Sequence, residues 1–148
     1  MSDIKQNLEI INTKIRAAEK KSGRAEGSVK LMAVSKFHPV EAVFEAVEAG
    51  QFLFGENRVQ EAYSKFPAVF EKCSQTELHM IGQLQTNKVK HAVEIASCIE
   101  SVDRIELLQE IEKQCAKHNK QINVLFDASW RASTMASNHL SRALFDSV

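Results

Sequence analysis

The sequence has little that would commit it to a specialised class. It holds three cysteines, Cys73, Cys98 and Cys115, far apart in the chain and with no CxxC pair. An odd number at such spacing excludes a disulfide framework and gives no zinc signature; buried thiols in a reducing cytoplasm are the simpler reading. Net charge is absent too, because 19 basic residues balance 19 acidic ones. No basic field invites nucleic acid, and no acidic tail marks a solvating partner. The start, Met1-Ser-Asp-Ile-Lys-Gln-Asn7, has no apolar core of a secretory signal. No apolar run approaches the ~18 residues of a membrane span. Neither GxGxxG nor GxxxxGK[ST] occurs, so no dinucleotide or P-loop site is written as a motif. His38, His91, His118 and His139 lack metal-ligand spacing with Asp, Glu or Cys, so no metal site is expected.

The rest is ordinary globular material: 148 residues, 44% hydrophobic and 26% charged, suited to one domain. Ile4, Leu8, Ile11, Ile15 and Ala18 recur at helical spacing. Ser2 or Asp3 can cap that helix, and Ser22-Gly23 ends it. A regular alternation follows. Short apolar runs at 31–35, 52–54, 78–82, 97–100 and 122–126 read as strands. Between them lie helices marked by Val40, Val43, Phe44 and Val47, then by Ala62, Phe66 and Val69, where Pro67 is expected to bend or shorten the helix. The next carries Val89, Ala92, Val93 and Ala96 after a Thr86 cap. The last carries Ile105, Leu108, Ile111 and Cys115 after an Asp103/Glu106 capping box. Strands apolar on both faces and separated by amphipathic helices describe βα units around a parallel sheet. Pattern and length alone favour an open, flavodoxin-like sheet, because a (β/α)8 barrel needs about 200 to 250 residues.

Three segments carry candidate chemistry, all at the carboxyl ends of successive strands, where β/α proteins place ligands. Ala33-Val-Ser-Lys36 puts a lysine at the end of an apolar strand. Partial desolvation there lowers a lysine pKa and frees the amine for a Schiff base with an aldehyde. Taken alone, the simpler reading is a lysine that leaves the strand into solvent. Phe54-Gly-Glu-Asn-Arg-Val-Gln-Glu61 places Asn57 where it can cap the next helix or offer its amide to a ligand. His79-Met-Ile-Gly-Gln-Leu-Gln-Thr-Asn-Lys88 sets His79 and Ile81 on one strand face, with a polar loop after Gly82. A satisfied core histidine before a capped helix is the plainer alternative there.

Taken together, Lys21-Ser-Gly-Arg24, Leu31-Met-Ala-Val-Ser-Lys36, Gly55-Glu-Asn-Arg-Val-Gln-Glu61, His79–Lys88, Ile99-Glu-Ser-Val-Asp103 and Ile122-Asn-Val-Leu125 resemble the pyridoxal-phosphate homeostasis family (YggS/PROSC) in order and separation. The resemblance implies an α/β fold of the (β/α)8 TIM-barrel kind, similar to the amino-terminal domain of alanine racemase (fold type III). Roughly its first half would be present, as a partial barrel over 1–126 with a divergent tail over 127–148. It also implies pyridoxal 5'-phosphate held by Lys36 as a Schiff base, Asn57 near the cofactor, and Val34 and His79 lining the pocket. No residue is assigned a catalytic role.

The implied function is intracellular vitamin B6 homeostasis in the cytoplasm, without an established turnover reaction. The partners would be the small-molecule cofactor and cofactor-accepting apoenzymes, with no nucleic acid and no membrane. Two alternatives stand beside it. One is a fragment that no longer binds the cofactor, because the late segments that grip the phosphate in the family have no counterpart after Phe126. The other is an amino-acid racemase, which would need a second acid/base on the opposite cofactor face.

Overall fold

The computed structural model describes residues 3–126; the tail expected over 127–148, with His139, and the Ser2 cap lie outside them. Five helices alternate with five short strands: α1 (Asp3–Lys21), β1 (Ala33–Val34), α2 (Val40–Glu48), β2 (Leu53–Glu56), α3 (Val59–Lys72), β3 (Glu77–Met80), α4 (Val89–Ile95), β4 (Cys98–Val102), α5 (Ile105–His118) and β5 (Asn123–Phe126). A 3₁₀ turn, Thr86–Lys88, leads into α4.

All strand pairs are parallel, and their order is β1-β2-β3-β4-β5. That order decides against the flavodoxin-like sheet that pattern and length favoured. A doubly wound sheet reverses its strand order at a switch point, and here each strand is added beside the last. Right-handed crossovers that always step the same way lay the connecting helices α2 to α5 on one face. The core is sealed on that face. Phe54, Leu78, Met80 and Ile99 pack against Ala62, Phe66, Val69, Val89, Val93, Leu107 and Ile111, all of them buried. Phe54 meets Phe66 edge-on at 5.8 Å and fastens α3 to β2. Such aromatic pairs add ~1 kcal/mol beyond burial.

The opposite face departs from the expectation of strands apolar on both sides. Register places Val34, Gly55, His79, Cys98 and Asn123 in one row across it. Val34 is 45% exposed and Leu125 53%.

Local signals held at some element ends and failed at others. Gly23, at φ 70, and Gly50, at φ 90, follow the ends of α1 and α2, as expected of left-handed C-terminal glycines. The caps read from the sequence for α3, α4 and α5 did not form. Arg58 and Arg104, not Asn57 and Asp103, precede α3 and α5, with no side-chain cap bond, and Thr86 opens a 3₁₀ turn. Asp103 instead pairs with Arg104 at 2.5 Å. Helix α3 also runs through Pro67 to Lys72 and is not shortened by it. Burial of Ala62, Phe66 and Val69 on both sides of the proline outweighs the hydrogen bond it cannot donate. Strand β2 extends through Gly55 to Glu56, two residues beyond the apolar run at 52–54.

On α1, Ile11 is 41% exposed and Ala18 is also exposed, while Leu8 and Glu19 are buried. Glu19 takes the place of an apolar residue because its carboxylate accepts Gly27 N–H at 3.0 Å, Val29 N–H at 2.7 Å and the Arg16 guanidinium at 2.6 Å. It thereby closes the loop that feeds β1. Cys98 is buried and Cys73 and Cys115 are half-buried; all three are free. Among the described residues no helix is long and apolar enough to cross a membrane.

Candidate functional site

The carboxyl ends of β1, β2 and β3 lie side by side, so the three sequence segments converge as expected. Lys36 sits two residues past β1, half-buried, in a turn closed by the His38 N–H donating to the Ser35 carbonyl at 3.1 Å. In that turn Phe37 adopts φ 64. A bulky side chain in the left-handed region costs about 1–2 kcal/mol and persists only where its surroundings enforce it. Phe37 is 75% exposed, with the Arg58 guanidinium 5.9 Å from its ring centre.

The surroundings that enforce the turn are polar. Glu56 is fully buried, and its Oε1 accepts the Ser35 hydroxyl at 2.8 Å and lies 2.6 Å from the Lys65 ammonium. Lys65 Nζ also donates to the Ser35 and His38 carbonyls, at 2.9 and 3.0 Å, and to Glu61 Oε1 at 2.9 Å. Glu61 in turn accepts the Phe37 N–H at 2.6 Å. Burial would raise the Glu61 carboxyl, but the Lys65 ammonium, the Phe37 amide and the nearby Arg58 hold it below the ordinary carboxylate range.

Asn57 follows β2 directly and is half-buried. Gly82, at the end of β3, touches its backbone: a Cβ built on Gly82 would lie 2.4 Å from the Asn57 carbonyl oxygen and 2.7 Å from its Cα. The glycine therefore lets two strand-end loops meet. They frame a polar cavity of about 300 Å³, lined among others by Asn57, Gln60, Gln83, Gln85 and Lys88. The Ser101 hydroxyl donates to the Gly82 carbonyl at 2.6 Å and ties this loop to β4. Arg104 donates to the Leu84 carbonyl at 3.1 Å and ties it to the start of α5.

Val34 and His79 lie one row deeper on the open sheet face, separated by Gly55. Of the four predicted residues, then, Lys36 and Asn57 occupy adjacent strand ends, while Val34 and His79 share the row beneath them. His79 is held by its neighbour on β4: Nδ1 lies 2.6 Å from Glu100 Oε1. Cys98 completes a cluster whose ligand-type atoms lie within 4.8 Å of one another. The sequence hid this cluster, because only strand register brings residues 79 and 98 opposite each other. Burial, reinforced by the Glu100 carboxylate, pushes the Cys98 thiol up to about 11. It keeps its proton at neutral pH, when thiolate is the metal-binding form.

Sequence reading also missed Glu56, Glu61 and Lys65. The only local signal was Glu61 and Lys65 four residues apart on α3, a pattern that ordinarily means a solvated helix face, and Glu56 at the end of β2 carried none.

No family model matches the chain. Against proteins of known name, it is 38% identical over 148 residues to the pyridoxal phosphate homeostasis protein of Vibrio alginolyticus, covering 99% of this chain and 64% of that one. It is 40% identical over 122 residues to the protein of the same name from Pasteurella multocida, covering 82% and 52%. Among solved structures, an unknown protein from Bifidobacterium adolescentis superposes with TM-score 0.77 at 30% identity, over 84% of this chain and 56% of that one. PipY of Synechococcus elongatus, solved with pyridoxal phosphate bound, superposes with TM-score 0.63 at 39% identity, over 74% and 50%. The chain spans between 52% and 64% of the length of these two named relatives. By sequence and by fold, the chain is a relative of the pyridoxal phosphate homeostasis proteins.

Proposed function

We propose that this chain supplies the cofactor-linking part of a pyridoxal 5'-phosphate carrier of the B6-homeostasis kind, with Lys36 as the linking residue. The observation that carries the reading is the place of Lys36: at the carboxyl end of the first strand, beside Asn57, in a chain 39% identical to a structure solved with that cofactor. The residues present fit such a group. A lysine amine stands at the rim of a sheet face where Gly55 offers no side chain and Val34 is 45% exposed. The amine would condense with the cofactor's aldehyde carbon, forming a C=N bond and releasing one water. Bound in that way, the cofactor supplies an electron sink. The chain's own residues bind and orient it. Lys36 provides the amine, Asn57 a neutral amide beside it, and His79, oriented by Glu100, the wall below with Val34.

The sequential parallel sheet, with its core on one face and a second face still exposed, is what the first five strands of an eight-stranded barrel look like. The barrel, with the cofactor inside its carboxyl-terminal rim, is part of this proposal. So is a carrier role in place of turnover, supported by relatives named for homeostasis of the cofactor. Apoenzymes that accept the cofactor would be its partners.

The test is borohydride trapping of pyridoxal phosphate on the purified chain, with peptide mapping and Lys36→Ala alongside. A reduced adduct at Lys36 that vanishes in the variant supports the reading. Labelling spread equally over surface lysines in both proteins would leave the relationship one of ancestry, with cofactor binding dependent on sequence this chain does not supply.

A further inference from the structure

Four polar groups flanking Lys36 are tied to one charge cluster built on a buried ion pair. On the amino side, the Ser35 hydroxyl donates to Glu56 and the Ser35 carbonyl accepts from Lys65. On the carboxyl side, the Phe37 amide donates to Glu61 and the His38 carbonyl accepts from Lys65. The cluster links three elements. Glu56 ends β2, Glu61 and Lys65 stand one turn apart on α3, and the turn they grip follows β1.

Burial makes this arrangement costly. The Lys65 and Glu56 side chains are 8% and 0% exposed, and the second Glu56 oxygen is buried with no hydrogen-bond partner. Two buried charges recover little net stability against a well-packed apolar pair. A stabilising role alone would be served as well by apolar side chains. What the pair achieves, and apolar residues could not, is to satisfy three specific groups of the turn, the Ser35 hydroxyl and the Ser35 and His38 carbonyls, while Glu61 takes the amide of Phe37, which is in the left-handed region.

We infer that Lys65, with Glu56 and Glu61, is a positioning device that fixes the Ser35–His38 turn and so presents the Lys36 amine at the strand end. The inference rests on the reading of Lys36 as the cofactor-linking residue. Lys65 touches no cofactor in this account; it acts through the turn. Its ammonium has three protons facing four acceptors, so no single partner holds it and the whole cluster sets its place.

The test uses the full chain and two variants. Lys65→Met with Glu56→Gln removes both buried charges together, and the one carboxylate that loses its lysine, Glu61, is partly exposed to solvent. Glu61→Gln, at a 23% exposed side chain, weakens the grip on the Phe37 amide and the Glu61–Lys65 contact but leaves the buried Lys65–Glu56 pair in place, and is the variant to read if the first does not fold. Two quantities are measured. Hydrogen exchange of a peptide covering 33–40 reports the turn, and borohydride-trapped pyridoxal phosphate, mapped by peptide, reports Lys36 against exposed Lys20 and Lys90 as internal controls.

In a folded variant, exchange in 33–40 rises roughly tenfold, as expected of a locally released turn, while peptides of β3 and β4 keep their wild-type exchange. The Lys36 adduct falls by a similar factor and the control lysines do not change. Wild-type exchange in 33–40 overturns the inference. So does faster exchange with an undiminished Lys36 adduct, because the cluster would then hold the turn without serving the lysine. If the unaltered chain gives no Lys36 adduct, the cofactor reading falls and the positioning role falls with it; exchange alone then reports whether the cluster fixes the turn.

Discussion

Replacing Gly82 by alanine probes the junction on which the strand-end site depends. The added Cβ would stand 2.4 Å from the Asn57 carbonyl oxygen, 2.7 Å from its Cα and 3.0 Å from its carbonyl carbon. Ordinary contact begins near 3.4 Å, so one loop must retreat by about 1 Å. The obstacle is backbone and cannot rotate away. The Gly82 carbonyl also accepts the Ser101 hydroxyl, so a retreat on that side strains a second bond. Overpacking of this kind costs roughly 2–3 kcal/mol. For a chain of this size that lowers the melting temperature by roughly 5–10 °C.

Gly55→Ala is the matched control. Its Cβ would meet the Met32 sulfur at 2.7 Å and the Ile81 Cδ1 at 3.0 Å, both at the far ends of side chains. Met adapts readily to new neighbours, so the cost should stay near or below about 1 kcal/mol. Thermal melts of the two variants beside the wild type decide the matter. A Gly82→Ala protein that melts with the wild type, or above Gly55→Ala, refutes the close approach of the β2 and β3 loops and with it this account of where Asn57 sits.

Two further predictions concern titrating groups. Hydrogen bonds from Val29 and Gly27, together with Arg16, outweigh burial and lower the Glu19 carboxyl to about 2 from 4.5. A folded-state pKa below the unfolded one contributes stability that is present above pH 4.5 and lost as pH falls toward 2. The urea midpoint of the wild type should therefore exceed that of Glu19→Gln most at pH 6, and the gap should close between pH 4.5 and 2; a constant gap across that window would contradict it. With its thiol pushed up to about 11, Cys98 should resist iodoacetamide in the native chain at pH 8 and react as fast as Cys73 only after denaturation. Rapid native labelling of Cys98, mapped by peptide, would show that its burial is wrong.

Much of the fold was legible in the chain, because the signals are local. The alternation of short apolar runs with amphipathic helices marked out four βα units and a fifth strand, and Gly23 marked the end of the first helix through its left-handed backbone. Lys36, Asn57 and His79 could be picked out because strand polarity puts the motifs that carry them at one end of a sheet, whereas Val34 was named only through the family resemblance. Element edges were less legible. Whether Asn57 or Arg58 precedes α3, or whether Pro67 stops it, turns on packing that no local pattern carries.

What the sequence alone determined is therefore the repeat, the parallel sheet and the candidate lysine at a strand end, since all three follow from short-range periodicity and backbone preference. Tertiary structure alone decided the strand order, which separated a sequential sheet from a doubly wound one. It also decided the partners of the buried polar groups. Glu19 with Val29, His79 with Glu100, and Lys65 with Ser35, His38 and Glu56 are each separated by at least nine residues in the chain. A buried charge is tolerable only where the fold delivers its complement, and that delivery depends on register and helix placement across the whole sheet, not on the residues beside it.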